Sequence, residues 1–172
     1  MRYADAREQI RTGDLIAVRA TSGLFPNLTR LVTRSPYTHT AVALRGGFDG
    51  VDRLLIAQEN GAGCSIAPLS QFAEIAFDVF DSPVPRNAAE EAIWLLLGEH
   101  IGYGFTDIAR IAANRLLGVP LPPADDNRLI CSALSASIYL HAQWAPKGLP
   151  SIPAPCDLVA AMGRAPKLEV RP

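Results

Sequence analysis

The chain has 172 residues, enough for one domain with a real core and a squeeze for two. Apolar residues make up 49% and charged ones 19%, which excludes a disordered chain. Sixteen basic residues face seventeen acidic ones and no basic run stands out, which argues against a nucleic-acid partner. No apolar stretch reaches the roughly 18 residues that a transmembrane helix needs. The opening "MRYADAREQIRTGD" is charged and lacks the apolar segment of a secretory signal, so cytoplasm is the default expectation. Delivery elsewhere by a phage or a secretion apparatus is compatible with it.

In chain order, "DLIAVRA" (14–20) is the first strand expected, entered through the turn signal "TG". Leu24, Leu28, Leu31 and Val32 have helical spacing, so a short helix is expected from near Pro26 or Asn27. "HTAVALR" (39–45) and "DRLLIAQE" (52–59) flank the turn "GGFDG" and read as a hairpin. "CSIAPLSQFAE" (64–74) holds a short strand and then a turn of helix. "IAFDVFD" (75–81) alternates and reads as a fourth strand.

Helices follow. "AAEEAIWLLLGEHIG" (88–102) places Ala89, Ile93, Leu96 and Leu97 on one side, with Glu90 and Glu91 in the first turn where carboxylates suit the helix dipole. "TDIARIAANRLLG" (106–118) has Thr106 as a cap and Gly118 as a stop signal. A proline-rich loop (119–128) leads into "LICSALSASIYLHAQW", the expected central buried helix, and a short helix is expected at "CDLVAAM". Strands first and helices later argue for an α+β fold, with 1–172 as a single domain.

Three residues stand out for chemistry. The cysteines Cys64, Cys131 and Cys156 are odd in number and widely spaced, so neither a zinc site nor a disulfide framework is expected. No cofactor or metal is implied. Cys131 opens a helix, where the dipole and unpaired N–H groups favour a thiolate and could hold an oxyanion. A small buried core residue is the plainer reading. His39 starts a stiff apolar strand, a rigid place for a base, or else it merely caps a strand edge. His100 and His141 fall late in helices, where a partly exposed cation is favoured. Glu59 ends the antiparallel neighbour of the His39 strand and could accept the second imidazole N–H, unless it is a solvated turn residue. Gln58 is the runner-up, with strand alternation pointing it to the opposite face.

"TGDLIAVRATSGLFPNLTRLVTRSPYTHTAVAL" resembles the opening of the circularly permuted NlpC-type papain-like cysteine hydrolases, the YiiX/YebB-like group: a Gly-Asp-Leu strand, a helix, then a Tyr-Ser/Thr-His run into an apolar strand. The likeness continues through Glu59 with "APLSQF" after it, "GYGFTDI" around Tyr103, "LICSALSASIY" and "IPAPCDLVAA", from about Gly13 to Ala161. Ile130 and Ala133 stand where the family often has an aromatic and an acid, and "YGF" replaces a common Tyr-Asp.

The resemblance implies a papain-like fold, with a small antiparallel sheet packed against helices. It implies Cys131 as nucleophile, His39 as general base and Glu59 as the residue orienting the imidazole, with Tyr37 and Tyr103 as candidates to line the substrate site. The activity implied is cysteine hydrolysis through an acyl-enzyme, first on amide bonds of cell-wall (peptidoglycan) peptides. A lipid or thioester acyl hydrolase or acyltransferase is the second expectation, and a non-catalytic module of a phage or secretion assembly the third.

Overall fold

The computed structural model describes residues 1–19, 30–31, 33–48, 51–60, 63–98, 102–103 and 128–172, with 48, 102–103 and 128–129 as backbone alone. The expected helices near 26–32 and over 106–118, the loop 119–128 and His100 lie wholly or mostly outside these residues.

The fold is α+β. Six antiparallel strands form one sheet: β1 (Leu15–Arg19), β2 (Tyr37–Phe48), β3 (Val51–Glu59), β4 (Cys64–Pro68), β5 (Phe77–Phe80) and β8 (Leu168–Val170), in the order β4-β3-β2-β1-β5-β8. Two short strands, β6 (Gly102–Tyr103) and β7 (Arg128–Leu129), pair in parallel apart from it. The helices are α1 (Tyr3–Ala6), α2 (Arg86–Gly98), α3 (Cys131–His141) and α4 (Pro155–Ala161).

Apolar side chains cover both faces of the sheet. Leu15, Ala17, Val42, Leu44, Ala57 and Phe80 join α2, α3 and α4 in one cluster. Ile16, Val18, Ala41, Ala43, Ile56, Phe77 and Val79 join Ala6, Ile10, Leu69 and Phe72 in the other. A sheet buried on both sides needs continuous apolar strands, which is why β1 reads Leu-Ile-Ala-Val without alternation. β5 does alternate, with Asp78 among apolar residues, yet all four of its residues are buried. Asp78 sits there because its carboxylate accepts from Arg19 Nε at 3.0 Å, Tyr37 Oη at 2.6 Å and Arg171 Nη1 at 2.9 Å. Burial pushes that carboxyl up, but these donors outweigh it and hold it below the usual range.

α3 is fastened to the sheet by polar contacts as well as packing. The buried Tyr139 donates its hydroxyl to the Gly13 carbonyl at 2.9 Å. Gly13 itself sits at φ +90°, and a Cβ there would meet Ser82 Oγ at 2.6 Å, so the "TG" turn requires glycine. Ser132 Oγ donates to the Pro153 carbonyl at 2.6 Å, and Ser135 Oγ lies 3.2 Å from Thr40 Oγ1 on β2. Each such bond contributes on the order of 1 kcal/mol, and together they fix where the start of α3 meets β2.

Several boundaries differ from expectation. α2 begins at Arg86, two residues before the expected start, and is described to Gly98, while Gly102, the expected last residue, belongs to β6. The hairpin ladder runs through the expected "GGFDG" turn to Phe48↔Val51. β8 and α1 carry no strong pattern of their own. β8 is three residues long, and its pairing with Phe77–Val79 gives it its form. Among the described residues, no helix is long and apolar enough to cross a membrane.

Candidate active site

The site forms where β2 and β3 part. Their ladder closes at Val42↔Ala57, although β2 begins at Tyr37 and β3 runs on to Glu59. Ala43 directs both its N–H and its carbonyl toward the β1 side, to Asp14 and Gly13. Strand alternation therefore turns the Thr40 N–H the other way, toward β3, beyond the end of the ladder. Its acceptor is the sulfur of Cys131, the first residue of α3.

His39 shares the strand parity of Ala41 and Ala43 and so points to the sheet face away from α3. Phe72 walls its ring at a centroid distance of 5.8 Å. The imidazole nevertheless hydrogen-bonds Cys131, because the gap between the strands lets the thiol through. Its Nε2 lies 3.1 Å from Gln58 Oε1, which leaves Nδ1 for the thiol.

Electrostatics in this gap favour charge separation. Burial pushes the His39 imidazole down. The charge and hydrogen bond of Cys131, the Gln58 carbonyl and the Glu59 carboxylate outweigh burial and raise it above an ordinary histidine. Burial likewise pushes the Cys131 thiol up. The imidazolium charge, its hydrogen bond and the Thr40 N–H outweigh that, so the thiol titrates below its ordinary value, with Glu59 opposing. The two groups are thus pushed in opposite directions, each toward its charged form. Ile130, the N-cap of α3, makes no side-chain cap bond, so no cap covers the N–H groups of the first turn. Cys131 is half-buried and so within reach of solutes.

Glu59 lies in this neighbourhood and is 1% exposed. It acts on both His39 and Cys131 through charge, but the imidazole's hydrogen bond goes to Gln58 instead. The reason is register. The sum of paired residue numbers across the hairpin is 99 (Val42↔Ala57, Ala43↔Ile56), so odd positions on β2 share a face with even positions on β3. Gln58 thus shares the His39 face, and Glu59 takes the α3 face with Thr40. The expected alternation had these two residues exchanged. Gln71 also contributes, donating Nε2–H to the same Gln58 oxygen at 3.1 Å. Its signal was the bare "SQF", which periodicity alone does not distinguish from any polar turn.

Tyr37 directs its hydroxyl to Asp78, and burial with that bond pushes its pKa up to about 12. Arg19 lies over its ring at 5.3 Å. The Tyr37 hydroxyl is therefore taken up by the Asp78 cluster. The Tyr103 backbone pairs with Leu129, two residues before Cys131, and its side chain is outside the described residues. His141 is exposed in the last turn of α3. A cleft of about 480 Å³, lined by Arg30, Leu31, Arg34, Ser35 and Pro36, opens just before β2. No protein-family model and no curated protein matches the chain.

Proposed function

We propose that the protein is a cysteine hydrolase of papain-like, permuted NlpC-type architecture that works through an acyl-enzyme. One observation carries this reading: the Cys131 thiol and the His39 imidazole hydrogen-bond each other and are pushed in opposite directions, toward thiolate and imidazolium. The Cys131 thiolate attacks an acyl carbonyl and forms a C–S bond. N–H groups at the start of α3 stabilise the resulting oxyanion. His39 then passes its proton to the leaving group as the C–N or C–O bond breaks. Water, deprotonated by neutral His39, attacks the thioester and restores the thiol. Gln58 holds the imidazole by its Nε2–H, and Glu59 raises the site's negative potential.

The substrate proposed first is an amide bond in a cell-wall peptide. The cleft with Arg30 and Arg34 supports an anionic substrate, since guanidinium groups suit carboxylate and phosphate. His39 follows Arg34 by five positions, a reach of at most about 17 Å of extended chain. The test is mass spectrometry of the intact protein after incubation with peptidoglycan fragments and, separately, with phospholipid vesicles. A peptidyl mass on Cys131 supports the amidase. A fatty-acyl mass moves the substrate to lipid. No adduct and no Cys131-dependent product with either would leave the hydrolase reading without support.

A further inference from the structure

We propose that Gln71 is a positioning residue for His39, acting through Gln58 to fix which imidazole nitrogen carries the proton. This rests on the reading of Cys131 and His39 as the reactive pair. The observation is a shared acceptor: Gln58 Oε1 lies 3.1 Å from His39 Nε2 and 3.1 Å from Gln71 Nε2. An amide oxygen has two lone pairs and can accept both bonds.

The choice of atom has a chemical consequence. An amide flip would present the Gln58 NH2 to the imidazole. Nε2 would then have to accept, and the proton of the neutral ring would move to Nδ1, the nitrogen facing the thiol. A ring protonated there cannot take the proton of Cys131. His39 alone accommodates either arrangement of Gln58. Gln71 biases the choice, because its N–H donates to the Gln58 oxygen and makes no bond to a flipped NH2.

The local fold explains why Gln71 is in place. It belongs to a 3₁₀ turn, Leu69–Phe72, that follows β4. Residues three apart eclipse in such a turn. Leu69 and Phe72 are accordingly both buried in the cluster beneath His39, Leu69 completely. Phe72 touches the imidazole ring itself. These two anchors hold the exposed Gln71 over Gln58. A single turn thus contributes a wall to the ring and a donor to its partner.

Two readouts test the proposal on the full chain. The ¹⁵N shifts of the His39 ring, recorded above its titration, report the tautomer directly. The pH profile of Cys131 alkylation by iodoacetamide reports the pair. Wild type is expected with the proton on Nε2. Gln71→Glu has no N–H to give and attracts the Gln58 NH2, so the ring signal should move to the Nδ1–H tautomer. Gln71→Ala should show a mixture and a roughly three- to tenfold slower alkylation near neutral pH, the size of one hydrogen bond. Gln71→Lys keeps a donor and should keep the wild-type tautomer. Gln71 is exposed, so none of these changes disturbs the core. Wild-type tautomer in all three variants overturns the role of Gln71. The tautomer is measured whether or not Cys131 is reactive, so an unreactive Cys131 would count against the hydrolase reading and not against this one.

Discussion

Two thiols lie near the same carboxylate and behave in opposite ways. Cys64 pairs across the β3–β4 ladder with Glu59, and Cys131 faces Glu59 from the start of α3. Both are half-buried, and both are pushed up by burial and by Glu59. Cys64 has no further influence and rises to about 11. Cys131 has the imidazole and the Thr40 N–H within hydrogen-bond reach and falls below its ordinary value instead. Burial and the Glu59 charge push both thiols the same way. The donors in contact with the sulfur make the difference, and they exist because β2 and β3 separate there and not at β4.

The largest effect should come from removing the imidazole. His39→Ala takes away the charge and the hydrogen bond, so Cys131 should titrate upward toward Cys64. At pH 6 its alkylation should slow by at least about tenfold, given how far such pairs depress a thiol. Cysteine-resolved labelling by mass spectrometry measures both thiols in one sample. An unchanged Cys131 rate would break the comparison.

The next effect is on stability, and it tests whether the contrast depends on the rest of the sheet. Asp78 lies opposite Ala17 of β1 and is held by Arg19, Tyr37 and Arg171. Its pKa is lowered in the folded state, so its contribution is present above the unfolded value near 3.9 and is lost as pH falls through the folded value. Asp78→Asn should lower stability at pH 7 by about 1–3 kcal/mol, the cost of hydrogen bonds to a charged group, and narrow the loss between neutral and acid pH. Chemical denaturation at pH 7 and pH 3 checks this. Cys131 should remain the faster thiol wherever the variant is folded.

The smallest effect separates Glu59 from Gln58. Glu59 raises Cys131, Cys64 and His39 alike through charge. Glu59→Gln should therefore lower the titration of both thiols, each by less than the His39→Ala change. If Glu59 instead held the imidazole, as the sequence suggested, the same variant would raise Cys131 while still lowering Cys64. The two outcomes differ in sign, so the labelling profile distinguishes them.

Much of this site was legible before any coordinates. Cys131 opens a helix because "ICSALSASIYLH" is apolar or small at the positions the helix buries, and His39 falls among the first residues of β2 because "TAVAL" permits little but a strand. What the sequence left open was register. A one-residue difference in pairing exchanges the faces of Gln58 and Glu59, and hydrophobicity cannot decide it where both faces of the sheet are buried. The Asp78 cluster was hidden for a related reason: its donors come from Arg19, Tyr37 and Arg171, up to 93 residues away along the chain. β8 was missed because a three-residue strand takes its form from its partner.

Cys131, unlike Cys64, is pushed toward the thiolate by a neighbouring imidazole. The most direct measurement is the iodoacetamide rate of each cysteine of the wild-type protein from pH 5 to pH 11. The Cys131 rate is expected to rise through a midpoint below that of an ordinary thiol and then stay flat, while Cys64 begins to react only toward pH 11. A Cys131 that reacts with the midpoint of a free thiol, no earlier than Cys64, would contradict it.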